Sequence, residues 1–189
     1  PQLVQTFDET GEYLLEIRDI QYRGGGQHYY RLRIGDFPGV NVPVPLAVEA
    51  GVATRIDFAG ISVEDATPDE LLIPGDYPFD FAAVRTRRSS GQTEAFSQVI
   101  VSRKPEFLER EPNDTPEQAN LVPVGHSLNG RFDRPRDIDR YAMVVEKGES
   151  LVLSGQTRQW GSPTDLVIRV LKPDGSLLAE VDDTGVEEG

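Results

Sequence analysis

The sequence predicts an all-β fold built of small sandwiches, and three observations carry that expectation. Apolar residues recur at period two in short runs, the spacing of a strand with one buried face. Eighteen glycines and 14 prolines among 189 residues cut the chain into segments of strand length. Only one stretch has helix-start chemistry. It is Thr115-Pro116-Glu117-Gln118, with a capping hydroxyl, proline at the first helical position and glutamine three residues on. At most one short helix, near 115–120, is therefore expected.

Taken in order, "YLLEIR" (13–18) places Tyr13, Leu15 and Ile17 on one face. "YYRLRI" (29–34) places Tyr30, Leu32 and Ile34 opposite Arg31 and Arg33. "FDFAAVRT" (79–86), "AFSQVIVS" (95–102), "YAMVVE" (141–146) and "ESLVLSG" (149–155) follow as further strands, the last two joined by the turn "EKGE". "DLVIRVL" (165–171) and "SLLAEV" (176–181) flank "KPDG", where Pro173 presets a turn and Gly175 accepts positive φ; this reads as a hairpin. Prolines among small and polar residues at 35–45, and charge with two prolines at 102–114, mark two breaks. The stretch between them, 37–104, has the strand count of an immunoglobulin-like sandwich.

The net charge of −13 opposes binding to nucleic acid or to an anionic membrane, both of which call for a basic face, and suits hard cations. Cysteine is absent, which excludes disulfides, zinc–thiolate sites and thiol catalysis. No apolar run approaches the roughly 18 residues of a membrane span. No signal peptide opens the chain, and both ends read as cut from something longer.

The densest chemistry is "EREPND". Glu109, Glu111, Asn113 and Asp114 offer four oxygen-ended side chains on one short segment, and Pro112 stiffens it. In an extended chain Glu109, Glu111 and Asn113 share a side. Asp137 and Asp139 in "DIDRY" do likewise at the start of a strand. A pincer of the two segments would satisfy a calcium ion, which takes six to eight oxygens. Two blander roles stand beside this one: Asn113, Asp114 or Thr115 capping the short helix, and solvated carboxylates. Asp182 and Asp183 read as turn or surface residues outside the site. Tyr22, Tyr29, Tyr30 and Trp160 are candidates for an aromatic ligand-binding face, although alternation puts one of Tyr29 and Tyr30 in a core. "YRGGGQHYY" lacks the lysine and following helix of a phosphate loop. His28 and His126 sit in no metal-spacing motif. No nucleophile-elbow motif is present, and Asp137/Asp139 as a glycosidase pair would require a cleft with aromatic walls.

"EREPNDTPEQANLV" followed by "LNGRFDRPRDIDRYAMVVEKGESLVLSG" resembles the start of the bacterial pre-peptidase C-terminal domain family, a jelly-roll sandwich appended to exported peptidases and other exported proteins. "DETGEYLLEIRDIQYRGGGQHYYRLRIG" (8–35) resembles that family's C-terminal half. The resemblance implies the end of one such domain over 1–36, a linking immunoglobulin-like domain over 37–104, and the beginning of a second copy over 105–189. The two halves would pair with each other or leave bare strand edges. The collagen-binding domains of bacterial collagenases share this fold and bind calcium through an "E.E.ND" segment with downstream aspartates. This maps onto Glu109, Glu111, Asn113 and Asp114, with Asp137 or Asp139 downstream. The implied protein is a secreted, cell-surface or periplasmic accessory module. It would be non-catalytic and calcium-stabilised, with other domains of a longer chain, a polysaccharide or an extracellular protein as partners.

Overall fold

The computed structural model describes residues 2–88 and 93–182; Asp183 lies outside them. The described structure is all-β, and its helical content is two single 3-10 turns, Pro116–Gln118 and Arg158–Trp160. The first sits where the Thr-Pro signal places it, with Pro116 at the helix start. The second, beside Trp160, has no start signal of that kind. Among the described residues no helix is long and apolar enough to cross a membrane.

Seven strands form the central body: β1 (Gly39–Val44), β2 (Ala47–Glu49), β3 (Ala53–Ile61), β4 (Ala66–Thr67), β5 (Asp69–Leu72), β6 (Phe81–Arg88) and β7 (Thr93–Ser102). They make two sheets, β1-β3-β5 and β2-β7-β6-β4. Every pairing is antiparallel except β2 with β7. The chain changes sheets between β1 and β2, at Pro45. β1 thus lies inside the proline-marked break at 35–45, which is corrected accordingly. Pro43 is tolerated there because β1 is an edge strand, where a missing N–H costs no ladder bond. Gly60 pairs with Val40 at positive φ, and a side chain there would collide with the Gly39 carbonyl.

The core fills the space between these sheets: Val48, Ile56, Ile73, Ala82, Val84, Val99 and Val101. β6 shows the period-two logic most clearly. Ala82, Val84 and Thr86 are buried, while Phe81, Ala83 and Arg85 face out. Ile56 and Val99 are fully enclosed, and each such burial contributes roughly 1.5–3 kcal/mol. At one end of the body Arg88, nearly buried, reaches Asp36 at 2.5 Å and the Ser62 hydroxyl at 2.7 Å, fastening the approach to β1.

Beyond the body run β8 (Glu106–Leu108), β9 (Asn120–Leu121), β10 (Ser127–Asn129), β11 (Tyr141–Ala142), β12 (Ile168–Leu171) and β13 (Leu177–Val181). β8 pairs with β10 and β9 with β11, both in parallel. β12 and β13 form the hairpin read from "KPDG": Gly175 donates its N–H to Lys172 at 2.8 Å and adopts φ +81°.

Four strand expectations are corrected. Residues 13–18 and 29–34 enter no ladder among the described residues, and 149–155 enters none either. Strand "YAMVVE" shrinks to its first two residues. Leu14, Tyr29 and Val152 are at least 90% exposed. The physical reason is common to all of them: alternation makes a segment able to pair, but a ladder needs an edge within hydrogen-bond reach. In particular, among the described residues no ladder joins the two terminal halves.

Candidate metal centre

"EREPND" follows β8 as irregular chain that bends at Glu111, not as the extended run expected, and the DIDRY segment leads into β11 beside it. Glu109 Oε2 accepts the Tyr141 hydroxyl at 2.9 Å, and its other oxygen accepts the Arg131 N–H. Glu111 Oε2 accepts the Asn113 N–H at 2.9 Å. The Asn113 carbonyl in turn accepts the Arg140 N–H at 3.2 Å, tying the first segment to the residue after Asp139. Carboxylate oxygens of Glu109, Glu111 and Asp139 thereby converge within 4.8 Å of one another.

Compensation for these three like charges is indirect: Arg131 and Arg134 act on Glu109 and Glu111 through space, and among the described residues no ion pair reaches the three carboxylates. The nearby arginines are committed to other acids. Arg131 holds Asp133 at 2.6 Å. Arg134 holds Asp114 at 2.6 Å and Asp137 at 3.6 Å. Burial pushes Asp139 up to about 7, aided by the negative charges of Glu109, Asp137 and Glu111. Burial raises Glu109 too, against the lowering effect of its bonds from Tyr141 and Arg131. Tyr141 is raised by burial and by its bond to Glu109. Asp114 is lowered by the hydrogen bond from Arg134.

Two further atoms set this site apart from a solvated acidic patch. Asn113 is fully buried, yet neither its side-chain oxygen nor its nitrogen has a hydrogen-bond partner. Asp139 Oδ1 is enclosed and unpartnered as well. Buried polar atoms are nearly always satisfied, and leaving one bare costs about 1–3 kcal/mol. All these donors are oxygens, apart from the amide nitrogen of Asn113, which suits a hard cation.

Of the six residues singled out as ligands, the structure brings Glu109, Glu111 and Asp139 together and buries Asn113 beside them in the chain. Asp114 and Asp137 are taken up by Arg134, and Asp137 also caps the Asp133 N–H at 2.6 Å. The helix-capping role is not realised at Thr115, which makes no side-chain cap bond. Tyr141, Gly130 and Arg134 went unread as site residues. Tyr141 was within reach, since it follows Asp139 at period two and so shares its side of the strand. Gly130 is required by close approach: a Cβ would lie 2.5 Å from the Tyr141 hydroxyl and 2.8 Å from Glu109 Oε2.

The aromatic candidates fare differently. Tyr22, Tyr29 and Tyr30 are 78%, 90% and 74% exposed, so neither member of the Tyr29/Tyr30 pair is in a core. Trp160 is half-buried, its Nε1–H donated to Gln156 Oε1 at 3.1 Å. Among the described residues no ring contact joins the four.

No family model matches the chain, and neither a curated protein nor a solved structure is significantly similar to it.

Proposed function

We propose that the chain is a non-catalytic accessory module of an exported bacterial protein, a spacer that supports adhesion or substrate binding. In this reading calcium stabilises it at the junction between the central sandwich and the segment that follows. The observation that carries the reading is the convergence of Glu109, Glu111 and Asp139 within 4.8 Å, together with Asn113, whose N–H binds Glu111 and whose side chain is fully buried without a partner among the described residues. Glu109, Glu111 and Asp139 would hold the ion, with Asn113 Oδ1 the natural neutral ligand. The ion would supply positive charge in direct contact with the carboxylates, which Arg131 and Arg134 reach only through space. The resemblance to pre-peptidase C-terminal domains supports the same assignment and the exported location.

Extracellular calcium modules bind at about 10⁻⁴–10⁻³ M. At about ten times the dissociation constant, binding to the folded state alone adds about 1.4 kcal/mol. For a chain of this size the thermal midpoint then rises by about 3–6 °C. The test is thermal unfolding in millimolar calcium and in chelator, for the wild type and for a Glu111→Ala, Asp139→Ala double variant. A rise confined to the wild type is expected. Equal midpoints in calcium and chelator for the wild type would remove calcium from the reading.

A second reading, a carbohydrate- or protein-binding module, is favoured by the exposure of Tyr22, Tyr29 and Tyr30. Substituting all three with alanine would abolish ligand capture on a glycan or matrix-protein array in that case, and would leave it unchanged in the spacer reading. Hydrolysis fits less well. Asp139 and Glu109 have raised pKa values, but the groove that reaches this region, along Phe107, Arg110, Glu111 and Pro112, does not include them.

A further inference from the structure

Three consecutive residues, Asn129, Gly130 and Arg131, stand between the central sandwich and the carboxylate cluster. Asn129 Oδ1 accepts the N–H of Ala47 at 2.9 Å across 82 positions of sequence. Its Nδ2 donates to Glu106 Oε2 at 2.8 Å, and its carbonyl accepts the Glu109 N–H at 3.0 Å. Ala47 opens β2, and its neighbour Val48 is part of the sandwich core. One side-chain amide therefore fixes β2, β8 and β10 to one another, using both its donor and its acceptor. On the far side, Gly130 packs against Tyr141 and Glu109 with no space for a side chain, and the Arg131 N–H holds the Glu109 carboxylate.

We infer that Asn129 is a latch through which the carboxylate cluster sets the orientation of the central sandwich; this rests on the cation reading above. Glu109 cannot shift alone. Its backbone N–H is bound to residue 129 and its carboxylate to residue 131, so displacement of Glu109 drags the turn, and Asn129 carries that movement to β2. Without a cation, repulsion among Glu109, Glu111 and Asp139 loosens this end of the chain of contacts. With one, Glu109 is drawn in and the sandwich is held at one angle. Coupling of this kind is reciprocal: what the ion does for the junction, the junction does for ion affinity.

The chain has no cysteine, so spin labels can be placed at will. Labels at Glu70→Cys on the sandwich and Gln118→Cys beyond β8, both exposed positions, report the distance distribution by double electron–electron resonance. Calorimetric titration with calcium chloride reports binding separately. In the wild type, calcium is expected to narrow a distribution that is broad in chelator. In Asn129→Ala, calcium still binds, about fivefold more weakly, and the distribution stays broad. Glu106→Gln keeps an acceptor for Asn129 and behaves as wild type. An unchanged midpoint for the sandwich excludes misfolding. Narrowing in Asn129→Ala equal to wild type overturns the latch. Calcium binding without narrowing in the wild type overturns the coupling and leaves the cation reading standing. No binding in the wild type removes the cation reading and the coupling with it. In that case the latch alone is decided in chelator, where an Asn129→Ala distribution no broader than wild type overturns it.

Discussion

Residues 79–102 and residues 8–35 have the same alternating apolar pattern, and they end in opposite states. β6 and β7 pair with each other, and Ala82, Val84, Val99 and Val101 are closed over by a second sheet. The segments 13–18 and 29–34 present Leu14, Tyr29 and Ile34 to solvent with no ladder. The difference is not propensity, since β-branched and aromatic residues are plentiful in both. It lies in the partners. β6 is paired with β7 along its length and covered by the facing sheet, whereas the earlier segments, though close in the chain to each other and to β1, meet no strand edge among the described residues. Period two thus reports a capacity for strand formation that only a neighbouring edge converts into one.

The sharpest way to break that contrast is inside the core. Ile56→Ala is expected to cost about 2–5 kcal/mol, because the enclosing side chains cannot collapse fully into the space. Denaturant unfolding followed by Trp160 fluorescence and by circular dichroism would measure it, and a cost below about 1 kcal/mol would show that the sandwich is not the stabilising body. Next in size is Gly130→Ala. Its new methyl group meets Tyr141 and Glu109, so calcium binding is expected to fall by at least tenfold in titration, roughly 1.4 kcal/mol, while the sandwich keeps its unfolding midpoint.

A third effect follows pH. Asp139 titrates from 3.8 when unfolded to about 7 in the fold. The folded state therefore holds the proton more tightly across that window. In chelator, the stabilising contribution of Asp139 is complete below 3.8 and is lost as pH rises through about 7. Calcium displaces the same proton, so its affinity should rise about tenfold between pH 6 and pH 8 and level off above. A flat affinity over that range would mean that no proton leaves Asp139 when calcium binds, either because it does not ligate or because it is already ionised at pH 6. The smallest effect belongs to the unpaired segments. Leu32→Ala, half-exposed and outside any ladder, should change unfolding by no more than about 0.5 kcal/mol. A larger loss would mean that residues 29–34 have a partner in solution.

What the chain alone determined was local. The strands β6, β7, β12 and β13, the "KPDG" turn and the single-turn helix at Pro116 all follow from period two, proline and glycine, whose effects act within a few residues. The pairing of Glu109 and Glu111 was expected too, from side chains two apart on extended chain, although the segment bends at Glu111 instead. Tertiary structure decided the rest. It chose Asp139 over Asp137 to meet them, because Arg134 and the Asp133 N–H draw Asp137 away, and it gave Asp114 to Arg134. It also buried the Asn113 side chain with no hydrogen-bond partner among the described residues, brought Gly130 against the carboxylates, and left the alternating segments at 13–18 and 29–34 unpaired. Each of these depends on groups that are distant in sequence and near in space, and a charge or an edge has no effect on its neighbours until folding sets the distance between them.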